Sequence, residues 1–106
     1  MSSRQLIYGP EALRHLDELW DHIAKANAPA AADRYLATLL DYCEGLVDFP
    51  FRGTARNDLR PGLRTISFRR RAVIAFAVSD NTIEILGVFH GGRDYESLLS
   101  ERSDEE

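Results

Sequence analysis

Apolar positions along the chain change their period twice. Gln5-Leu6-Ile7-Tyr8 predicts a short extended segment, and Gly9-Pro10 after it is a turn pair. From there Ala12, Leu13, Leu16, Leu19, Trp20 and Ile23 recur three and four apart, while Glu11, Arg14, Asp17, Glu18 and Asp21 take the other side. That spacing predicts an amphipathic helix. Pro10 suits its first turn, where a missing N–H costs nothing, and Glu11 complements the positive helix end. Asn27-Ala28-Pro29 interrupts the pattern. A second stripe follows, formed by Ala32, Tyr35, Leu36, Leu39, Leu40, Cys43, Leu46 and Val47 against Asp33, Arg34, Asp41 and Glu44. Two such helices across so short a link must lie antiparallel as a hairpin.

Phe49-Pro50 ends the helical region, and a polar, turn-rich connection leads to Pro61-Gly62. Three β segments come next. Residues 63–68 alternate, residues 71–78 read Arg-Ala-Val-Ile-Ala-Phe-Ala-Val, and residues 82–89 read Thr-Ile-Glu-Ile-Leu-Gly-Val-Phe. The middle segment is apolar at nearly every position, which marks a strand covered on both faces. Ser79-Asp80-Asn81 favours a tight hairpin, and Arg69-Arg70-Arg71 lies at or beside the preceding turn. The expected order is therefore β-α-α-β-β-β. It describes an α+β fold in which a short N-terminal strand precedes a helical hairpin packed on a mainly antiparallel sheet. Asp94 is placed to cap a short final helix through Leu99. Residues 1–100 are expected to form a single domain, and residues 101–106 an acidic, disordered tail.

Composition adds limits. With 106 residues, 44% of them hydrophobic and 28% charged, the chain has the size of one domain with one core. Cys43 is the only cysteine, which excludes an intramolecular disulfide and a multi-cysteine zinc site and fits a reducing compartment. No run approaches the roughly 18 to 20 apolar residues of a membrane span. The first residues lead into the patterned segment without an apolar stretch of signal-peptide type, so a cytoplasmic protein with no membrane association is expected.

Charge changes the picture more. The net charge of −4 hides a block from residue 51 to 77 that holds seven arginines against Asp58 alone, a local +6. The flanking segments are acidic. Arginine offers a planar fork to carboxylates and phosphates, so such a block points to charged partners.

Candidate chemistry is sparse. There is no P-loop, no Gly-x-Gly-x-x-Gly and no nucleophile elbow, and neither a metal nor another cofactor is expected. His15, Glu18 and His22 share a rough helical face, yet their spacing lacks the tighter interval of helix-borne zinc motifs, and a solvated face accounts for them. His90-Gly91-Gly92-Arg93-Asp94-Tyr95 is more informative, because polar residues begin abruptly where an apolar strand ends. There His90 and Arg93 supply a titratable group and an anion fork, with Asp94 placed either to orient one of them or to cap the helix.

Five blocks taken together resemble a known family. They are the helix Ala-Leu-Arg-His-Leu-Asp-Glu-Leu-Trp-Asp-His-Ile-Ala, then Ala-Ala-Asp-Arg-Tyr, Asp-Phe-Pro-Phe-Arg-Gly, Leu-Arg-Pro-Gly-Leu-Arg and Phe-His-Gly-Gly-Arg-Asp. Their order and intervals, from Leu6 to Leu99, are similar to the RelE/ParE superfamily of type II toxin–antitoxin modules, closest to its ParE branch. The resemblance implies a toxin held in a hetero-oligomer by a cognate antitoxin with a DNA-binding N-terminal domain. It also implies one of two targets: ParE-type toxins act on DNA gyrase, and RelE-type toxins cut messenger RNA on the ribosome.

The fold is common to both branches, so residues must choose. A metal-independent ribonuclease needs clustered bases, acids and cations. Here the strand 72–78 is wholly apolar, residues 63–68 offer only Arg64, and lysine is absent after Lys25. Those residues favour a gyrase inhibitor without catalytic residues, its target-binding surface shaped by Arg64, Arg69, Arg70, Arg71, His90 and Arg93. Two other readings stay open. One is a ribonuclease in which Arg64 and Arg71 bind phosphate while His90 or Tyr95 acts as acid or base. The other is a non-toxic remnant that keeps only the antitoxin-binding core.

Overall fold

Pro10 and Pro29 each open a helix, as their fixed φ and missing N–H favour. The structure, a computed structural model, describes residues 4–90. Strand β1 (Gln5–Tyr8) leads into helix α1 (Pro10–Ala26), and a two-residue link leads to α2 (Pro29–Gly45). The strands β2 (Thr54–Ala55), β3 (Leu63–Phe68), β4 (Ala72–Val78) and β5 (Thr82–His90) complete it. The five strands make one sheet in the order β1-β5-β4-β3-β2. β1 runs parallel to β5, and every other pair is antiparallel. The α+β arrangement expected from the sequence is thus the one observed. The two-residue β2 is an addition: it lies in the stretch read as a connection and pairs Thr54 with Thr65 and Ala55 with Arg64. Too short to show a period, it forms because β3 offers an edge.

The main core lies between the helical hairpin and one face of the sheet. Ala12, Leu16 and Leu19 of α1 and Leu39 and Cys43 of α2 meet Ile74 and Phe76 of β4 and Ile83, Ile85 and Val88 of β5. Burying one such large side chain contributes roughly 1.5–3 kcal/mol. On the opposite face Leu63, Ala75, Leu86 and Phe89 form a smaller cluster, so β4 is covered on both sides as its apolar run predicts. A register shift lets both layers close. Phe76 pairs with Ile85 but Ala75 with Gly87, so Leu86 is the extra residue of a bulge. Through it Ile85 and Val88, three apart in sequence, join the same helix-facing core.

Two positions of α1 depart from the expected stripe. Leu13 is 52% exposed, whereas His15, read as part of a solvated face, is only 6% exposed. β1 stops pairing at Ile85, which leaves the next stretch of β5 without a strand neighbour on that side. His15 covers it. No helix among the described residues is long and apolar enough to cross a membrane. The expected final helix from Asp94, the acidic tail, and Arg93 and Tyr95 lie outside the described residues.

Candidate functional site

The β3–β4 connection spans three residues, 69–71, between the paired Phe68 and Ala72, and its tight turn is closed by the Arg71 amide donating to the Phe68 carbonyl at 3.2 Å. Both central residues are left-handed, Arg69 with φ 53° and Arg70 with φ 62°. This mirror-image turn matches the twist of its strands, but glycine and asparagine occupy it most cheaply. A side chain with a Cβ costs on the order of 1 kcal/mol or more at each such position.

Beside that turn the hairpin end of the helices and the end of β5 enclose a cleft of about 500 Å³. Leu19 and Ile23 of α1 and Tyr35 of α2 give it an apolar floor. Arg70, Arg71, His22 and His90 stand around it, and no carboxylate lines it among the described residues. The two imidazole rings lie 5.2 Å apart at an interplanar angle of 38°. Tyr35 packs edge-on against Phe68 with centroids 5.6 Å apart. Burial raises the Tyr35 phenol above its ordinary pKa, while the positive charges of Arg69 and Arg71 pull it the other way.

The arginines of the basic block divide by what they touch. Arg64 donates through Nε to the Arg52 carbonyl at 2.9 Å and through Nη2 to the Phe51 carbonyl at 2.8 Å and the Gly53 carbonyl at 3.4 Å, with its guanidinium over the Phe51 ring. It clamps the loop before β3. Arg56 forks onto Asp58 at 3.0 and 2.8 Å and holds that carboxyl below its usual pKa. Arg52 stacks near Tyr42 and Phe49, and Arg69 lies over Phe68. Arg70 and Arg71 are exposed and have no ion-pair partner among the described residues.

Of the residues singled out in the sequence, Arg70, Arg71 and His90 thus converge on one cleft, with Arg69 on the same turn. Arg64 stands apart from them, and Arg93 lies outside the described residues. His22 and Tyr35 join the cleft without having been singled out for it. His22 sits on the same side of α1 as Leu19 and Ile23, three residues before it and one after, and that placement was the only local signal. Among the described residues no three metal-ligating side chains gather.

Residues 6–95 match the family model for the ParE toxin of type II toxin-antitoxin system, parDE. The chain belongs to the ParE toxin family. It is 30% identical over 99 residues to Toxin ParE1 of two Mycobacterium tuberculosis strains, CDC 1551 / Oshkosh and H37Rv, covering 93% of this chain and all of each relative. Its fold is that of a chain in the chromosomal ParDE TA system from P. aeruginosa, with a TM-score of 0.72 and 24% identity over 83% of this chain and 96% of that one. Membership makes the chain a toxin component by descent. The cleft shows which residues of this ParE-family chain are gathered at one place.

Proposed function

We propose that this ParE-family toxin acts in the cytoplasm by binding DNA gyrase, without chemistry of its own, and that a cognate antitoxin with a DNA-binding N-terminal domain holds it inactive in a hetero-oligomer. The family match over nearly the whole chain is the observation that carries the reading. The arrangement of charge supports it: Arg70 and Arg71 present cations beside His90 on a protein of net charge −4, as suits steering onto an acidic protein surface. Arg69 adds its charge from the same turn, and Arg93 follows His90 closely in sequence; Arg64 acts apart from the cleft, where it holds the loop at 51–53. The test is a supercoiling assay with purified gyrase and the full chain, with and without the antitoxin encoded beside it. Inhibition relieved by antitoxin is expected; unimpaired supercoiling at a molar excess of toxin would sink the reading.

One observation favours a second reading. Cleavage of RNA without a metal needs a base and an acid on either side of a phosphate, with cations to hold it. His22 and His90, 5.2 Å apart beside Arg71, make such a set. Pulse labelling after induction separates the two: an early stop in DNA synthesis supports gyrase, and an early stop in translation supports the ribonuclease.

A further inference from the structure

We propose that the cleft between His22, Arg70, Arg71 and His90 recognises a short acidic segment of a partner protein, seating one carboxylate against the two arginines and a neighbouring apolar side chain on Leu19, Ile23 and Tyr35. This deepens the protein-binding reading and rests on it.

The turn carries the inference furthest. Arg69 and Arg70 both occupy left-handed backbone, where Asn-Gly would relieve the strain. Both side chains are exposed; Arg69 lies over the Phe68 ring, but no packing contact explains arginine at 70 among the described residues. Strain kept at Arg70, on the cleft wall, and at Arg69 next to it belongs where the side chains serve binding. The composition of the cleft agrees: two arginines and two imidazoles on the rim, no carboxylate among its described lining residues, and apolar side chains beneath.

Size and surroundings select the occupant. A space of about 500 Å³ is far more than one carboxylate fills, and its apolar floor asks for a second, hydrophobic group. A peptide carrying an acidic and an apolar residue side by side meets both demands. A longer polyanion meets neither the floor nor the approach, because α1 displays exposed Asp17, Glu18 and Asp21, and α2 displays exposed Asp33. A nucleic-acid strand continuing past the cleft would bring phosphates towards these like charges. A single side-chain carboxylate entering between the arginines does not.

The experiment titrates the isotope-labelled full chain with acetyl-Leu-Glu-Leu-amide, its Gln counterpart, inorganic phosphate and adenosine monophosphate, following amide shifts by NMR. The Glu peptide is expected to perturb His22, Arg70, Arg71 and His90 and to bind about tenfold more tightly than the Gln peptide, since a charge-assisted fork is lost in the latter. Arg71→Ala should weaken it about tenfold. The double variant Arg69→Asn, Arg70→Gly should lose the same affinity while melting at a higher temperature, which separates recognition from folding. Equal binding of the Glu and Gln peptides, shifts mapping elsewhere, or full affinity in the turn variant would overturn the proposal. Tighter binding of the monophosphate than of the Glu peptide would overturn it too, in favour of the RNA reading. Because the readout needs only chain and peptide, gyrase inhibition that persists without peptide binding removes this inference alone.

Discussion

The Val88 amide of β5 donates to Nδ1 of His15 at 3.1 Å, a bond between residues 73 apart in sequence and buried from solvent. Nδ1 must therefore carry a lone pair, which places the ring proton on Nε2, 3.9 Å from the Glu11 carboxylate. The imidazole stands where β1 would have supplied the next carbonyl. It also packs on Phe89, with ring centroids 5.0 Å apart.

His15→Leu keeps most of the volume but leaves the Val88 amide without an acceptor. A buried donor so orphaned costs about 1–3 kcal/mol. Chemical denaturation should show a loss of that size, and hydrogen exchange should show Val88 losing protection. Unchanged stability would mean that water or a strand shift replaces the imidazole.

Arg64→Ala and Arg64→Lys should behave alike. The planar fork serves three successive carbonyls of the loop, and a lysine has one ammonium on a flexible stem. Each variant is expected to lose about 1–2 kcal/mol and to raise proteolysis of the loop at 51–53. Full retention of stability by Lys would show that charge over Phe51, not the fork, holds the loop.

Gly53 has φ +75°, and a Cβ there would fall on the Thr65 carbonyl oxygen. Gly53→Ala therefore combines left-handed strain with a backbone clash and should cost at least about 2 kcal/mol. The β2–β3 pairing is expected to open first, read as lost exchange protection in β3. A variant as stable as the parent would contradict the placement of this loop.

Alkaline pH should destabilise the fold through Tyr8 and Cys43. Burial pushes the Cys43 thiol up to about 11 from an ordinary 9.0, and burial together with the neighbouring Cys43 raises the Tyr8 phenol as well. Both native groups hold protons that the unfolded chain releases earlier, so the unfolded state binds fewer protons and stability falls as pH rises. The contribution is intact below about pH 9 and lost as pH climbs towards 11 and beyond. Tyr8→Phe and Cys43→Val should each flatten that slope, and DTNB should react with Cys43 only on unfolding.

Local signals carried the elements because each has a cause within a few residues. Prolines 10 and 29 start the helices, the stripes of Leu16, Leu19 and Leu39 face the sheet, and the apolar run around Ile74 and Phe76 marks the central strand. The misses have long-range causes. Leu13 lies on the predicted stripe yet points outward, while His15 is buried because β5 needs an acceptor at a site that only the parallel pairing of β1 defines. Within the site, Arg70, Arg71 and His90 were legible as polar residues next to apolar strands. His22 was not, since its neighbour His90 is far along the chain.

Periodicity, turn chemistry and ordered local motifs were enough for the order of the elements other than β2, the hairpin of helices, the doubly covered central strand and the family. Tertiary structure decided which arginines are free and which histidine is buried. Arg64 carries the same charge as Arg70 and Arg71, but the carbonyls at 51–53 come within its reach only once the loop folds against β3. A cleft is likewise a relation between chain ends of different elements, and no window of sequence contains His22, Arg71 and His90 together.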